Sequence, residues 1–270
     1  MPTQPAPRAL LVDLDDTILD NESTITIPEC WRLACADVTG GRADLDAARL
    51  GEAIKRVGDS YWSDPERARV GWRDYRRTGI RNVHSALLTL GHDDADLACA
   101  IYDNYRERRQ AAVKPFPGAI EALAALRDRS IRLALITNGS GSTQRAKIDR
   151  FDLARHFGCI LIESEFGVGK PDERVYRAAM KALDVSPSDT WMVGDNFEWD
   201  VAAPQKLGLG TVWVDREGHG VGPDSAVLPD YVISSLQELP ELLSKASTTY
   251  RPSVGHSDSG GTGSLGRTLL

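Results

Sequence analysis

Short apolar runs alternate with helical spacing from Phe116 onwards, and this alternation constrains the fold more than any other feature of the chain. Buried strands are predicted over residues 131–137, 159–162, 190–194, 211–214 and 231–233, with helices over residues 117–129, 142–151, 172–183 and 201–207. An earlier run, residues 8–12, has the continuous apolar character of a strand that is covered on both faces. Parallel strands need crossover connections, so the pattern predicts an α/β fold with a doubly wound, mostly parallel sheet.

Residues 18–115 interrupt this pattern with repeated helical spacing and little strand character. Helices are predicted over residues 28–38, from a capped start at Asp64 and Pro65, over residues 80–90 with Gly91 as the stop, and over residues 94–110. Because the opening strand belongs to the sheet, we predict an all-helical domain inserted into a core formed by residues 8–17 and 116–246. Residues 1–7 and the Ser- and Gly-rich residues 247–270 are predicted to be disordered.

The composition favours small-molecule partners. Of 270 residues, 41 % are hydrophobic, and 32 basic against 39 acidic residues give a formal net charge of -7. This balance argues against a general binder of nucleic acid or of anionic membranes. No apolar run approaches the roughly 18 residues needed to cross a bilayer, and the N-terminal residues contain no apolar signal core, so we expect a cytoplasmic protein. The pattern specifies no oligomeric state.

Four of the predicted strands end in residues that are suited to phosphate chemistry. The strands lead, in chain order, to Asp13 and Asp15, to Thr137 and Asn138, to Lys170 on a glycine-flanked loop, and to Asp195 with Asp200. Taken alone, each group could be an ordinary turn, a solvated lysine or a helix cap. Because the carboxyl ends of parallel strands meet at one edge of a sheet, the four groups together predict a shared site at that edge.

These residues resemble the four ordered motifs of the haloacid dehalogenase superfamily. The likeness covers residues 8–235 and rests on Asp13-Leu14-Asp15-Asp16-Thr17, Thr137, Lys170, and Gly194-Asp195 with Asp200. It implies a Rossmann-like catalytic core, and the helical insert is similar to the C1-type cap of that superfamily. Among its members the chain looks most like phosphatases of small sugar phosphates or nucleotides, such as the N-acylneuraminate-9-phosphatase and pyrimidine-nucleotidase groups.

The resemblance implies a phosphoryl transfer in two steps. Asp13 is the implied nucleophile, which forms an aspartyl phosphate. Asp15 is the implied general acid and base, and we expect neighbouring carboxylates to raise its pKa. Lys170 and Thr137 are the implied partners of the phosphoryl oxygens.

The accumulated negative charge implies a Mg²⁺ cofactor, since Mg²⁺ prefers hard oxygen ligands. The implied ligands are the carboxylate of Asp13, the backbone carbonyl of Asp15 and the carboxylate of Asp195. Asp200 is expected to support the metal site from outside, by holding a water molecule or Lys170 in place.

Further residues are predicted to bind the substrate, a small-molecule phosphoester. They are Asp16, where the chain leads into the cap, Asn138, and three cap arginines, Arg73, Arg76 and Arg77. If the arginines take part, the substrate carries a second anionic group or a planar group.

Other reactions of the superfamily stay open as alternatives. A 2-haloacid dehalogenase is disfavoured by Asp15, because a halide leaving group needs no proton and the family's dehalogenases lack this second aspartate. A phosphonatase needs a cap lysine, and Lys55 is the one interior lysine here. A sugar phosphomutase retains both aspartates. A non-catalytic phosphate-binding module would be expected to have a broken motif, and none is broken.

Overall fold

The computed structural model describes residues 6–21, 25–71, 74–222 and 225–249. Within them the chain forms eight strands: β1 (Ala9–Val12), β2 (Leu19–Asp20), β3 (Lys114–Pro115), β4 (Arg132–Thr137), β5 (Cys159–Ile162), β6 (Thr190–Gly194), β7 (Gly210–Val214) and β8 (Tyr231–Ile233). Six of them form a parallel sheet in the order β5-β4-β1-β6-β7-β8. The predicted doubly wound parallel sheet is therefore confirmed.

β1 is the central strand of this sheet and determines where the site lies. All four of its residues are fully buried, as expected of a strand that is covered on both faces. Its neighbours are β4 and β6, which lie on opposite sides of it. The strand order therefore reverses at β1, and the crevice beyond its carboxyl end is the place where open α/β sheets bind ligands.

Helices cover both faces of the sheet. Those of the core are α6 (Ala119–Asp128), α7 (Gly141–Arg150), α8 (Glu163–Phe166), α9 (Glu173–Leu183), α10 (Ala203–Lys206) and α11 (Leu239–Thr249). Short 3₁₀ turns lie at Ala154–His156, Pro187–Asp189 and Leu236–Glu238, and a π-helical turn at Phe197–Ala202 precedes α10. Leu10 and Val12 contribute to one hydrophobic cluster, while Ala9 and Leu11 contribute to the cluster on the opposite face, as the two-residue period of a strand requires.

The segment between β2 and β3 is helical and has a core of its own. It contains α1 (Ile27–Thr39), α2 (Ala47–Trp62), α3 (Pro65–Gly71), α4 (Tyr75–Thr89) and α5 (Ala95–Ala112). Trp31 of α1 stacks on Tyr105 of α5 at 3.6 Å between ring centroids, inside a separate hydrophobic cluster. Asp46 and Asp94 cap the N-termini of α2 and α5 with their side chains, which satisfies backbone donors that would otherwise lack partners.

Several elements differ from the sequence predictions. The two ends of the helical segment pair as short antiparallel strands, β2 with β3, where only helix was predicted. α2 was not predicted, because Gly51 and Gly58 weaken its helical pattern. α11 was not predicted either, since serine and threonine favour turns. It extends to Thr249, whereas the core was predicted to end at residue 246 and disorder to begin at residue 247.

The helix after β6 begins at Phe197 and not at residue 201, because Asn196 caps its first turn with its side chain. The predicted disorder at residues 1–5 and 250–270 falls outside the described residues. Within the described ranges, no helix has both the length and the apolar character that crossing a membrane demands.

Candidate active site

The predicted core residues meet in one cavity at the carboxyl edge of the sheet. Asp13 follows β1 directly, and its backbone N–H continues the ladder by donating to the Val193 carbonyl at 3.0 Å. The cavity has a volume of about 230 Å³ and is lined by Asp13, Asp15, Asp16, Thr137, Asn138, Lys170, Asp195, Asn196, Trp199 and Asp200. The four strand ends that carry phosphate-type residues therefore converge, as the parallel sheet requires.

Lys170 lies between two of the aspartates. Its Nζ donates to Asp13 Oδ1 and to Asp200 Oδ1, at 2.7 Å in each case. Lys170 is only 4 % exposed and Asp200 is fully buried. A buried ammonium is stable only when it is paired and hydrogen-bonded, so these contacts fix the lysine beside the predicted nucleophile.

Asn138 holds the loop that carries this lysine. Its Oδ1 accepts from the backbone N–H of Lys170 at 2.8 Å, and its Nδ2 donates to the Lys170 carbonyl at 2.7 Å. The loop comes so close that a Cβ on Gly169 would lie 2.4 Å from Asn138 Oδ1, so only glycine fits there. Asn138 lines the cavity, and its side-chain amide bonds the backbone of the Lys170 loop, so its predicted contact with substrate stays a prediction.

Asp200 is held in a similar way. Its Oδ2 accepts from the backbone N–H of Asn196 at 3.1 Å, and its own N–H donates to the Asn196 carbonyl at 2.7 Å. The end of β6 lies against this carboxylate, since a Cβ on Gly194 would be 2.1 Å from Asp200 Oδ2. Both carboxylate oxygens of Asp200 are thus engaged by protein donors.

Burial and charge perturb the ionisation of this group of residues. Burial is the main cause that raises the pKa of Asp13 to about 8, with Lys170 opposing it and Asp200 and Asp195 adding to it. Burial and the nearby Asp200 also raise the pKa of Asp195. Burial alone would lower the pKa of Lys170, but its contacts with Asp13 and Asp200 raise it above the usual range. The lysine therefore stays charged, while Asp13 and Asp195 hold a proton more readily than exposed aspartates do.

Three aspartates are close enough to share a cation. One carboxylate oxygen from each of Asp13, Asp195 and Asp200 lies within 4.8 Å of the other two. An oxygen-only donor set with excess negative charge fits a hard divalent cation such as Mg²⁺. Because both oxygens of Asp200 already accept hydrogen bonds, Asp13 and Asp195 are the better ligands, and Asp200 suits the supporting position that was expected for it.

Asp15 is surrounded differently from what the sequence led us to expect. We expected neighbouring carboxylates, but two side chains of α7 contact it. Lys147 Nζ donates to Asp15 Oδ1 at 2.6 Å, and Gln144 Nε2 donates to Asp15 Oδ2 at 2.8 Å. Gln144 Nε2 also lies 2.6 Å from Thr137 Oγ1. Both residues were missed from the sequence, where their i, i+3 spacing on the helix that follows Thr137 shows only that they share a face of that helix.

Asp16 occupies the turn that leads out of the core. Its φ is +57°, in the left-handed region, which aspartate tolerates better than most residues. Its Oδ1 accepts from the backbone N–H of Asn21 at 3.1 Å, and its carbonyl accepts from Arg216 Nε at 3.1 Å. Asp16 lines the cavity, and these contacts also shape the connection to the helical segment.

The predicted cap arginines lie elsewhere or outside the described residues. Arg76 forms an ion pair with Asp103 of α5 at 2.6 Å, and Arg77 is exposed on α4. Neither lines the cavity beside Asp13. Arg73 lies outside the described residues, so its predicted role stays a prediction.

Two lining residues of the cavity were not predicted, Asn196 and Trp199. Both lie in the stretch between Asp195 and Asp200, so the signal was their position inside the last acidic motif. The Asn196 side chain caps the helical turn by accepting from the Trp199 N–H at 3.0 Å. The half-buried Trp199 is thereby held in the lining of the cavity.

Comparison with known proteins agrees with this geometry. The family described as haloacid dehalogenase-like hydrolase matches residues 7–208. A phosphoserine phosphatase from Thermus thermophilus is 42 % identical over 253 residues, which are 86 % of this chain and 97 % of that protein. The crystal structure of the HAD-hydrolase YfnB from Bacillus subtilis has a TM-score of 0.64 at 22 % identity and covers 88 % of this chain and 98 % of that chain. A 2-haloacid dehalogenase from Pseudomonas syringae has a TM-score of 0.60 at 28 % identity, with the same coverage of 88 % and 98 %.

Proposed function

Because the chain belongs to the haloacid dehalogenase-like hydrolases, we propose that it is a Mg²⁺-dependent phosphatase that hydrolyses a small-molecule phosphomonoester through an aspartyl-phosphate intermediate. The observation that carries this proposal is the pairing of two aspartates in one cavity. Asp13 is fixed by the buried Lys170, while Asp15, two residues later, is held separately by α7. This separation supports nucleophilic attack by Asp13 and proton transfer by Asp15.

The carboxylates of Asp13 and Asp195 and the backbone carbonyl of Asp15 would hold the Mg²⁺, with Asp200 supporting them. When bound, the ion neutralises the charge of the phosphoryl group and orients it for in-line attack.

In the first step, a carboxylate oxygen of Asp13 attacks phosphorus and the phosphorus–oxygen bond of the ester breaks. Asp15 in its protonated form gives its proton to the departing alkoxide, so the product leaves as an alcohol. In the second step, Asp15 takes a proton from water as the water oxygen attacks phosphorus. Inorganic phosphate leaves, and the Asp13 carboxylate is regenerated.

Lys170 supplies fixed positive charge throughout both steps. Its ammonium is held by Asp13 and Asp200 before any substrate arrives, so little reorganisation is needed when charge develops on the phosphoryl oxygens. Thr137, at the end of β4, lines the same cavity and carries a hydroxyl that can donate to a phosphoryl oxygen. Preorganised donors of this kind often lower the reaction barrier more than any other single feature of an active site.

The helical segment, residues 18–115, is proposed to act as a C1-type cap on the core of residues 8–17 and 116–246. Closure of such a cap excludes water and adds contacts to the leaving group. Sugar phosphates and nucleotides are candidate substrates, and phosphoserine joins them because a relative 42 % identical to this chain carries the name phosphoserine phosphatase. Arg73, Arg76 and Arg77 remain proposed contacts to the leaving group.

A dehalogenase function is the main competitor, since one similar solved structure is a 2-haloacid dehalogenase. The surroundings of Asp15 argue against it here. A halide leaves without a proton, so a second aspartate that is held by two buried side chains would serve no purpose in that reaction.

The proposal is tested by a phosphate-release screen with Mg²⁺ over phosphoserine, sugar phosphates and nucleotides. We expect release with at least one of them, abolished by EDTA and absent in Asp13→Asn. A phosphorylated Asp13 should be detectable by mass spectrometry after an acid quench. Halide release from 2-haloacids without any phosphate release would overturn the proposal, and so would equal phosphate release by wild type and Asp13→Asn.

A further inference from the structure

The side chains of Gln144 and Lys147 reach from one face of α7 into the site. They are only 3 % and 8 % exposed, and their spacing places them one turn apart on the same side of the helix. Between them they contact both carboxylate oxygens of Asp15, Lys147 at 2.6 Å and Gln144 at 2.8 Å. The side-chain carboxylate of Asp15 is thereby held in a fork of two donors.

A structural role alone does not account for this arrangement. Burying an ammonium costs several kcal/mol unless a partner compensates it. In the described part of the chain, Asp15 is the carboxylate that pairs with Lys147. By contrast, Arg145 of the same helix forms its ion pair with Glu165 where both side chains are about 40 % exposed, at 42 % and 40 %. The buried ammonium of Lys147 is thus paired with a residue of the site, Asp15.

Gln144 also connects Asp15 with another residue of the site. Its Nε2 lies 2.6 Å from Thr137 Oγ1 and 3.1 Å from the Asn138 carbonyl. Thr137 is the last residue of the neighbouring strand β4, and Asn138 follows it directly. The amide of Gln144 therefore ties the position of Asp15 to the end of a strand in the sheet. Rotation of the Asp15 carboxylate would break contacts with both residues of α7.

We propose that Gln144 and Lys147 are positioning residues for Asp15. They hold its carboxyl group in the orientation from which a proton passes to the oxygen of the departing alkoxide and is later taken from water. This inference rests on the proposed phosphatase function. Proton transfer needs donor and acceptor within hydrogen-bond reach and correctly aligned, so loss of the fork weakens the step without removing the acid itself.

The test compares two kinds of ester in four proteins. Wild type, Lys147→Met, Gln144→Leu and the control Arg145→Met are assayed with the best alkyl phosphate of the screen and with an aryl phosphate that has a nitrophenol leaving group. The alkoxide needs a proton and the nitrophenolate does not. We expect Lys147→Met and Gln144→Leu to lower kcat/KM for the alkyl ester by about tenfold more than for the aryl ester. Arg145→Met should leave both values unchanged.

A double-mutant cycle shows whether the effect passes through Asp15. Adding Lys147→Met to Asp15→Asn should cost nothing further, because the residue to be positioned has already been lost. Lys147→Arg should recover part of the activity on the alkyl ester. Thermal unfolding of each variant identifies any that fails to fold. If Lys147→Met fails to fold, Gln144→Leu takes its place in the comparison of the two esters and in the cycle with Asp15→Asn.

Equal losses for both esters, or additive losses in the cycle, would overturn the inference and leave Lys147 as a structural residue. Failure of the proposed function looks different, because wild type would then release phosphate from neither ester. The two failures are therefore distinguishable in the same assay.

Discussion

Lys170 is the residue on which the charge balance of the site depends. One ammonium contacts Asp13 and Asp200, while Asp195 lies within the same group of carboxylates. Three carboxylates against one ammonium leave excess negative charge in a buried place, which is costly. The raised pKa of Asp13, about 8, is the consequence of this burial and crowding, and a bound divalent cation would oppose it by favouring the ionised carboxylate.

Lys170→Ala should abolish most of the turnover. We predict a loss in kcat of at least about a hundredfold, near 3 kcal/mol, because a fixed donor to the phosphoryl oxygens and the partner of Asp13 are both removed. The measurement is phosphate release at saturating substrate. The control is Lys181→Ala, which removes an exposed lysine of α9 and should leave the turnover unchanged. A Lys170→Ala enzyme that kept most of its turnover would remove Lys170 from the catalytic machinery.

Mg²⁺ binding should strengthen as the pH rises towards 8. In the metal-free protein the pKa of Asp13 lies near 8, so below that pH the carboxyl is protonated and the proton must leave before the cation binds. We predict an apparent affinity at least about tenfold weaker at pH 6 than at pH 9. Calorimetry in buffers with different ionisation enthalpies should show about one proton released per ion at the lower pH and about none at the higher.

Asp13→Asn is the control for this pH dependence. It has no proton to release at that position, so its residual Mg²⁺ binding should vary much less with pH. Wild-type affinity that is constant from pH 6 to pH 9 would show that Asp13 is already ionised when the cation arrives.

At the level of elements, the end of β6 has room for the Asp200 carboxylate only because residue 194 is a glycine without a side chain. The Cβ of an alanine at position 194 would lie 2.1 Å from Asp200 Oδ2, and Asp200 holds Lys170. We predict that Gly194→Ala destabilises the protein by about 1–3 kcal/mol, as overpacking does. We also predict a fall in turnover of at least about tenfold, because displacement of Asp200 frees the lysine.

Gly58→Ala is the matched control for this substitution. Gly58 lies inside α2 with nothing within 4 Å of the added Cβ, so alanine should stabilise the protein by about 0.5–1 kcal/mol through helix propensity. Urea unfolding and phosphate release measure both variants. A Gly194→Ala protein as stable and active as wild type would show that Asp200 is not needed in its present position.

The elements that sequence predicts well are those whose pattern is set by burial. β6 is buried along its whole length and has the predicted bounds, because a strand covered on both faces is apolar throughout. The two outer strands of the sheet, β5 and β8, are only partly buried, yet their apolar residues also gave the right bounds. The meeting of Asp13, Thr137, Lys170 and Asp195 followed from the same logic. Parallel strands bring their carboxyl ends to one edge whatever the loops do.

Contacts that depend on where long side chains extend from a helix could not be predicted in this way. Gln144 and Lys147 read as ordinary polar residues of a surface helix, and only the packing of α7 turns them towards Asp15. The pairing of β2 with β3 involves two residues from each strand, too few for a period to show. α11 was not predicted because Pro240 and Ser244 interrupt the spacing of its buried residues Leu239, Leu243 and Ala246.

On the scale of the whole molecule, Arg216 joins the two connections between the core and the helical segment. It lies just after β7, and its guanidinium donates to the carbonyls of Asp16 at 3.1 Å and Thr17 at 2.8 Å on the outgoing connection. The same group stacks on the ring of Phe116, on the returning connection, at 3.2 Å from the ring centroid. One side chain therefore restrains both passages of the chain into and out of the helical segment.

Arg216→Ala should loosen these connections without removing any group from the cavity. We predict a loss of about tenfold in kcat/KM, near 1.4 kcal/mol, because the helical segment would spend less time in the orientation that closes over a substrate. A protease of low specificity should cut the chain faster near residues 16–21 and 112–117, since bonds to a charged guanidinium stabilise a connection by about 1.5–3 kcal/mol.

Arg216→Lys keeps the charge but not the planar fork, so intermediate values of kcat/KM and of the cleavage rate are expected. The control is Arg177→Ala, which breaks an exposed ion pair with Glu173 on α9 and should change neither readout. If Arg216→Ala matched wild type in both kcat/KM and cleavage rate, the β2–β3 pairing alone would suffice to hold the helical segment in place.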